Sequence, residues 1–404
     1  MRSLGFPLAG LLAAWLALYG ARLAGAAPLA PHEMLGRILE LEDPNPRVWG
    51  ENFASLWQFV PFAFLPVAAW PLGWRVALAA AGAALGALYQ IVVGVPQWWL
   101  YFYMFFAGAG VVMLAFLASQ WRRPEARYLL GALALFAAFG VITKTFLMYS
   151  STAAMPVLDS SALALDAASF GASPSAWAVE TARAHPGLRR LLSIAYETLP
   201  LAVMAAFGLE LRDPRRTPFG LLKGLVVCGF VAAAAYAVTP VAGPAYAFAA
   251  FPEKVDALLA AAPAVAGTLP DFSPRNAFPS FHLAWALLAV MLTARFGWTA
   301  RVIFGVYALL IALATLALGE HYLVDLVASF PILLAIAALC MERTPWRHRW
   351  HALLAGLAFY AVWAVLLRPS VAHEARAYPM LMAAWCYACV AASIWLYVRM
   401  VRRE

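Results

Sequence analysis

The sequence predicts an all-α integral membrane protein, a polytopic bundle of about twelve transmembrane helices. Of its 404 residues, 65% are hydrophobic and only 12% are charged. An ordinary soluble domain carries about 25% charged residues, so a chain this long and this poor in charge cannot keep its surface hydrated. The apolar residues also fall into repeated runs of about 20, the length that crosses a bilayer.

Arginine clusters between the apolar runs explain the net charge of +8. Short basic loops of this kind lie on the cytoplasmic side of membrane proteins. The positive charge therefore indicates membrane topology, and we expect no nucleic-acid partner.

Twelve apolar runs are long enough to be spans. They cover residues 4–26, 53–72, 75–96, 98–120, 128–148, 190–211, 218–240, 279–296, 300–319, 322–341, 350–367 and 378–399. The first run could instead be a signal peptide, with Gly25-Ala26-Ala27 as its cleavage site. It is long for a signal peptide and many spans follow it, so we take it as the first span.

The basic loops fix an orientation when the chain alternates sides after each span. With Arg2 inside, the clusters in the short loops fall on the cytoplasmic side, and so do both termini. The exception is Arg189-Arg190, at the end of a long loop, where the rule is weaker. The sequence therefore predicts a plasma or bacterial inner membrane protein with cytoplasmic termini.

The long loops all fall on the opposite face, at residues 28–52, 150–188, 241–278 and 369–379. Residues 150–188 mix apolar and polar side chains and could form short helices lying on the membrane. Residues 241–278 are rich in Pro and Gly, and a loop this long in a compact protein is usually a lid or a binding loop.

Two polar stretches on this outer face carry the candidate chemistry. The first, Asn276 to His282, reads Asn-Ala-Phe-Pro-Ser-Phe-His, and the second, His321 to Asp325, reads His-Tyr-Leu-Val-Asp. His321 and Asp325 are four residues apart at a helix start, so they share one face. A carboxylate bound to one imidazole nitrogen leaves the other nitrogen basic and oriented. His282 could exchange a proton with a reacting oxygen.

Ser280 precedes His282 at a predicted helix start, where it can cap the helix and where free N–H groups favour an anion. A lone interfacial histidine, or a His–Asp pair joining two helices, can equally be structural. Two histidines and an aspartate at one membrane face favour catalysis on a phosphate.

These residues resemble a known family. Pro279-Ser280-Phe281-His282 and His321-x-x-x-Asp325 are similar to motifs of the type-2 phosphatidic acid phosphatase superfamily. The residues of these motifs are closer to one branch of the superfamily, the inositolphosphotransferases that resemble inositol phosphorylceramide synthase. The resemblance covers a six-helix core. It divides the chain into N-terminal helices of unknown role (1–126), a catalytic core (127–341) and C-terminal helices (342–404).

The resemblance implies a role for each matched residue. His321 would be the nucleophile that forms a phosphohistidine, and Asp325 would orient it. His282 would be the acid for the leaving alcohol and then the base for the acceptor, and Ser280 would help to hold the phosphate. The family needs no metal ion, and we expect no cofactor.

The chain departs from the phosphatases of this superfamily in its cations. It lacks their Lys-x6-Arg-Pro motif, and Ala314-Thr315 stands where they carry Ser-Arg. A phosphodiester has one negative charge and needs less cationic help than a phosphomonoester, so the departure favours a diester donor. Arg275 is the first candidate for a substitute cation; Tyr246, Asn276 and Thr315 are polar neighbours that could contact substrate.

The sequence therefore predicts a phosphotransferase that moves a phosphoryl-linked headgroup from a phospholipid donor to a lipid or glycan hydroxyl, with its site facing the periplasm or the exterior. A lipid phosphatase with water as acceptor would use the same residues. A membrane transporter is the third alternative, although its ionisable residues would be expected near the midplane.

Overall fold

The structure is a computed structural model that describes residues 3–25, 30–33, 80–81, 84, 87–88, 109–110, 112–152, 156–265, 269 and 275–403. This part of the chain contains fifteen bounded helices and no β-strand. The helices are α1 (Gly5–Leu23), α2 (Pro124–Thr152), α3 (Asp159–Phe170), α4 (Pro174–Ala184), α5 (Pro186–Glu197), α6 (Leu199–Arg212), α7 (Leu221–Val238), α8 (Pro244–Ala247), α9 (Val255–Ala260), α10 (Phe281–Thr293), α11 (Trp298–Ala317), α12 (Leu323–Cys340), α13 (Trp346–Leu366), α14 (Pro369–Ala375) and α15 (Pro379–Val401).

Seven helices of the described residues are long and apolar enough to cross a bilayer, namely α1, α2, α7, α11, α12, α13 and α15. The bent pair α5–α6 brings the number to eight if it counts as one span. These helices confirm the predicted all-α membrane bundle. The number of twelve is not confirmed. The predicted span at 53–72 lies outside the described residues, as do most of 75–96 and about half of 98–120.

The predicted span at 279–296 is too long. Helix α10 has 13 residues, which extend about 20 Å at 1.5 Å per residue and fall short of a bilayer core of about 30 Å. Ser280 caps the start of α10. After its end, Gly297 precedes α11 with a positive φ of 106°, a backbone angle that favours glycine.

The predicted span at 190–211 is interrupted. Helices α5 and α6 meet at an angle of 49°. Pro200 has no N–H to continue the hydrogen bonds of α5, and the residue before a proline, Leu199, disfavours helical geometry. The bend therefore follows from the sequence Thr198-Leu199-Pro200.

The chain divides into two compact units. One consists of Met1–Phe146 and Pro200–Leu222, and the other of Leu147–Leu199 and Lys223–Glu404. All predicted site residues belong to the second unit. The division into 1–126, 127–341 and 342–404 stays a prediction.

Helix α3 lies inside the second unit. Most of its residues are buried, including Asp159 and Asp166, and it packs against α12, α14 and α15. The expectation that residues 150–188 lie on the membrane surface is therefore wrong for α3. Its Ala- and Leu-rich faces are covered by protein.

Helix α12 is the centre of this unit. It packs against α3, α10, α13 and α15, and 83% of its apolar window is buried, compared with 17% for α13. Gly356 allows a close approach of α13 to α12, because a Cβ there would lie 2.4 Å from the Pro331 carbonyl oxygen. The site is built at the amino end of this enclosed helix.

Candidate active site

His321 lies in the tight turn that joins α11 to α12. The backbone N–H groups of Glu320 and His321 both donate to the carbonyl of Thr315, at 3.0 and 3.1 Å, which fixes the turn. The His321 Nδ1 atom lies 2.8 Å from the Ala277 carbonyl oxygen and 3.4 Å from Oδ2 of Asp325. Because Nδ1 must donate to that carbonyl, the lone pair of a neutral His321 is on Nε2.

The predicted His–Asp contact exists, but a backbone carbonyl is the nearer partner of His321. Asp325 also binds the start of α12, because its Oδ2 accepts a hydrogen bond from the Tyr322 N–H at 2.8 Å. Its carboxylate is fully buried. Asp325 therefore both caps α12 and places a carboxylate next to His321.

Burial lowers the pKa of His321 to about 4, although the neighbouring Glu320 and the hydrogen bond to Ala277 act in the opposite direction. An imidazole with this pKa is neutral at neutral pH. His321 is therefore available as a nucleophile without a prior deprotonation.

His282 faces His321 from the first turn of α10. Its Nδ1 lies 3.3 Å from Nε2 of His321, and the two ring centroids are 5.5 Å apart. Helices α10, α11 and α12 are held together here by Leu283, Leu316 and Leu326. The structure thus brings the two predicted histidines and Asp325 together.

Ser280 caps α10, as predicted, through a 3.4 Å hydrogen bond from the Leu283 N–H to its Oγ. Its backbone is tied to α12 on both sides. The Ser280 N–H donates to the Asp325 carbonyl at 3.1 Å, and its own carbonyl accepts from the Ser329 hydroxyl at 2.8 Å. These contacts hold the start of α10, and with it His282, at a fixed place beside α12.

The other predicted substrate contacts differ in position. Arg275 is buried, and burial lowers the pKa of its guanidinium while the nearby Asp159 raises it. Asn276 follows it and is half-buried. Thr315 serves the turn, with its hydroxyl bonded to the Ala312 carbonyl at 2.9 Å. Arg275 thus lies near a protein carboxylate.

Glu320 and Tyr196 belong to the site and were not predicted. The Glu320 carboxylate accepts from the hydroxyl of Tyr246 at 3.1 Å and interacts with that of Tyr196. The Tyr196 hydroxyl lies 2.9 Å from Nε2 of His282, and the two rings stack at 4.6 Å. The predicted Tyr246 therefore contacts Glu320, and burial raises the pKa of this carboxyl.

Tyr196 is held in place by α11. The Tyr307 hydroxyl of α11 donates to the Ala195 carbonyl at 2.6 Å and lies 3.0 Å from the Thr198 hydroxyl. Small residues pack α4 and α5 onto α11 around it, including Ala182 and Ala314. The end of α5 is thereby fixed at the site.

Two buried carboxylates of α3 hold the surrounding backbone. Asp159 accepts from the N–H groups of Ala242 and Gly243, at 3.0 and 2.8 Å, and from the Tyr322 hydroxyl at 3.1 Å. Asp166 accepts from the Val324 N–H at 2.9 Å. Burial raises the pKa of Asp159 to about 6 and that of Asp166 to about 8.

Some of the missed residues have a signal in the sequence. Asp159 and Asp166 are seven residues apart, which places them on one face of a helix. Glu320 directly precedes the proposed nucleophile in a chain with only 20 acidic residues. Tyr196 has no such signal, because its contact with His282 joins positions 86 residues apart.

Comparison with protein families matches residues 161–339 to the family described as the PAP2 superfamily. No curated protein and no solved structure matches the chain. The matched residues run from α3 to α12 and include His282, His321 and Asp325. The segment that builds the site is therefore similar to the PAP2 superfamily of phosphatases and phosphotransferases.

Proposed function

We propose that the protein is a membrane-embedded phosphotransferase with a phosphohistidine intermediate on His321. The observation that carries this proposal is the pairing of the two histidines: Nε2 of His321, which bears the lone pair, lies 3.3 Å from Nδ1 of His282. A nucleophile and a proton donor thus meet at one point, which is the arrangement that covalent catalysis on a phosphoryl group needs.

The first half-reaction forms the bond between His321 Nε2 and phosphorus and breaks the bond between phosphorus and the leaving oxygen, which takes the proton of His282 Nδ1. The phosphorylated ring of His321 carries a positive charge because Nδ1 keeps its proton. The Ala277 carbonyl at 2.8 Å and the Asp325 carboxylate at 3.4 Å stabilise this charge. In the second half-reaction His282 removes the proton of an acceptor hydroxyl, which attacks phosphorus and releases His321.

The charges around the site support a phosphodiester donor. Asp325 lies 3.4 Å from Nδ1 of His321, and Arg275 lies near Asp159. A carboxylate so close to the nucleophile disfavours a phosphomonoester dianion more than a singly charged diester. We therefore infer a phospholipid donor whose headgroup passes to a lipid or glycan hydroxyl, in the manner of an inositolphosphotransferase.

Hydrolysis is the second candidate, favoured by the family match, which covers phosphatases as well as transferases. With water as acceptor, the same His282 would deprotonate the attacking oxygen. The acceptor is the difference between the two reactions, so the products decide between them.

The test is a trapping experiment with the purified protein and a phospholipid labelled at phosphorus. Wild-type protein should acquire an acid-labile label, and His321→Ala should acquire none and lose turnover by at least about 10³-fold, because the nucleophile is gone. His373→Ala is the matched control, since this histidine is exposed and belongs to the same unit.

The product analysis separates the two reactions. A new phosphorylated lipid or glycan in the presence of an acceptor alcohol supports transfer, and free phosphate or a free headgroup phosphate supports hydrolysis. Near-wild-type turnover of His321→Ala would remove His321 from the mechanism and with it the proposed function.

A further inference from the structure

The hydrogen bonds of His282 connect His321 on one side of its ring with a half-buried carboxyl group on the other. Its Nδ1 faces His321, and its Nε2 lies 2.9 Å from the Tyr196 hydroxyl. That hydroxyl in turn interacts with Glu320. Both nitrogens of the His282 ring therefore have a partner: Nδ1 contacts His321, and Nε2 contacts Tyr196, which leads to Glu320.

A neutral His282 cannot supply the leaving oxygen with a proton by itself. If its Nδ1 gives up a proton, the ring becomes an imidazolate unless Nε2 gains a proton at the same time. Tyr196 is the group positioned to supply that proton, and Glu320 is the group positioned to restore it. Tyr196 and Glu320 thus provide the source of a proton that the two histidines alone lack.

We propose that Glu320, Tyr196 and His282 form a proton relay, in which Glu320 is the reservoir for the proton that the leaving oxygen takes. This inference rests on the proposed phosphotransfer through His321. Glu320 and Tyr196 act through His282, so they are positioning residues of the reaction.

The proton balance of the relay is complete in each half-reaction. When the leaving oxygen takes the Nδ1 proton of His282, Nε2 takes the hydroxyl proton of Tyr196, and Tyr196 takes the carboxyl proton of Glu320. The net result is an alcohol product and a Glu320 carboxylate. When the acceptor hydroxyl attacks, the three transfers run in reverse, and Glu320 regains its proton.

The surroundings of Glu320 suit a group that must hold a proton. In the described part of the chain, the titratable groups that face it are His321 from its own turn, Tyr246 from α8 and Tyr196 from α5. Burial raises the pKa of Glu320, against the effects of these three groups. The protonated form is thereby favoured over a wider pH range than for an exposed glutamate.

The relay predicts the pH dependence of phosphoenzyme formation. His321 must be neutral, so the rate rises as pH passes its pKa of about 4. Glu320 must be protonated, so the rate falls as pH rises through its pKa, which lies above the ordinary 4.5. The wild-type profile is therefore bell-shaped, with Glu320 responsible for the descending limb.

The experiment measures the single-turnover rate of phosphoenzyme formation against pH for the full-length protein and its variants. Glu320→Gln should lower the maximal rate by about 10²-fold, the scale of general acid catalysis, and should remove the descending limb. Tyr196→Phe should do the same, and the double variant should be no slower than Glu320→Gln, because both changes break one path.

Two further variants separate the relay from a structural role of Glu320. Tyr246→Phe removes the other hydrogen bond of Glu320 but leaves the path to His282, so the descending limb should remain. Glu253→Gln changes an exposed glutamate paired with Arg183 and should leave both the rate and the profile unchanged. A thermal midpoint in detergent accompanies each variant, and Tyr196→Phe carries the test if Glu320→Gln does not fold.

A descending limb that survives in Glu320→Gln, or additive losses in the double variant, would overturn the relay. That outcome, together with a phosphoenzyme in the wild type, would leave the proposed function intact. Failure to find any phosphoenzyme in the wild type would instead overturn the proposed function itself.

Discussion

At the scale of single residues, the carboxylates around the site hold backbone N–H groups. Asp159 binds the loop at Ala242 and Gly243, Asp166 binds Val324, and Asp325 binds Tyr322. Two of these contacts occupy the first turn of α12, where a helix has N–H groups without partners in its own backbone.

Substitution of Asp166 tests whether its carboxyl group holds the Val324 N–H. Asp166→Ala should lower stability by about 1–3 kcal/mol, because it leaves the buried Val324 N–H without its acceptor. Asp166→Asn keeps an acceptor oxygen and should stay close to the wild type at pH 5. Thermal midpoints in detergent measure both, and equal midpoints for the two variants would contradict a role in holding Val324.

The stability of the wild type and that of Asp166→Asn should depend differently on pH. The pKa of Asp166 in the folded protein, raised by burial to about 8, lies above the value of about 3.9 for an unfolded chain. The folded state therefore keeps a proton that the unfolded state releases, and the free energy of unfolding decreases as pH rises from about 4 to about 8. The midpoint of the wild type should fall more over this range than that of Asp166→Asn.

Much of the site could be predicted from residues that are close together in the sequence. His321 and Asp325 share a helix turn, and Ser280 and His282 follow a proline at a helix start, so local spacing was sufficient for them. Glu320 and Tyr196 could not be assigned in this way. Their roles depend on contacts between α5, α8 and α10, and no periodicity in the sequence indicates which helices meet.

At the scale of elements, the site depends on the close packing of a loop against a turn. Gly243 and Gly319 both have positive φ angles, of 102° and 74°. The Ala245 N–H donates to the Gly319 carbonyl at 2.9 Å. A Cβ at Gly243 would lie 2.3 Å from the Glu320 carbonyl oxygen. The loop that carries Tyr246 can therefore lie directly on the turn that carries Glu320 and His321.

Gly243→Ala should reduce turnover by about 10-fold or more, since backbone displacements of about 1 Å at a reaction centre have large effects. Gly171→Ala is the matched control. Gly171 also has a positive φ, of 76°, but an added Cβ there meets nothing within 4 Å. Both variants should lose about 1–2 kcal/mol from the left-handed backbone, and only Gly243→Ala should lose activity. Equal activities would contradict the packing role.

The helices show a similar division between what was and was not predictable. Hydropathy located α11, α12, α13 and α15 because each is a continuous apolar run. It extended α10 beyond its 13 residues and treated α5 and α6 as one span, although Pro200 offered a local signal for the bend. A short helix in residues 150–188 was predicted, but the burial of α3 was not, because its coverage by α12, α14 and α15 is decided by tertiary packing.

At the scale of the whole molecule, the second unit has chemically different ends. The proposed site lies at the amino ends of α10 and α12, and basic residues gather at their other ends. There, Lys223 pairs with Glu342 at 2.6 Å, and the Arg349 guanidinium donates to the Ala338 carbonyl at 3.2 Å. A cytoplasmic basic end with the site on the opposite face stays a prediction, which rests on the basic residues.

Cysteine labelling tests this orientation at the start of α13 and in α14, which follows its other end. Glu374→Cys and Arg347→Cys place exposed thiols at the site end and at the basic end, while the four native cysteines are buried. An impermeant maleimide should label Glu374→Cys in intact cells and Arg347→Cys only after the membrane is opened. Labelling of both from one side would contradict the predicted topology.

The enclosure of α12 has a consequence for how the protein responds to its host bilayer. Its neighbours α13 and α15 present most of their surface outward, with only 17% and 22% of their apolar windows buried, whereas α12 is wrapped almost completely. A change in acyl-chain length or fluidity therefore acts first on the peripheral helices. The protein itself therefore surrounds the helix that follows the proposed nucleophile His321, and it shields the proposed reaction centre from variation in the lipid.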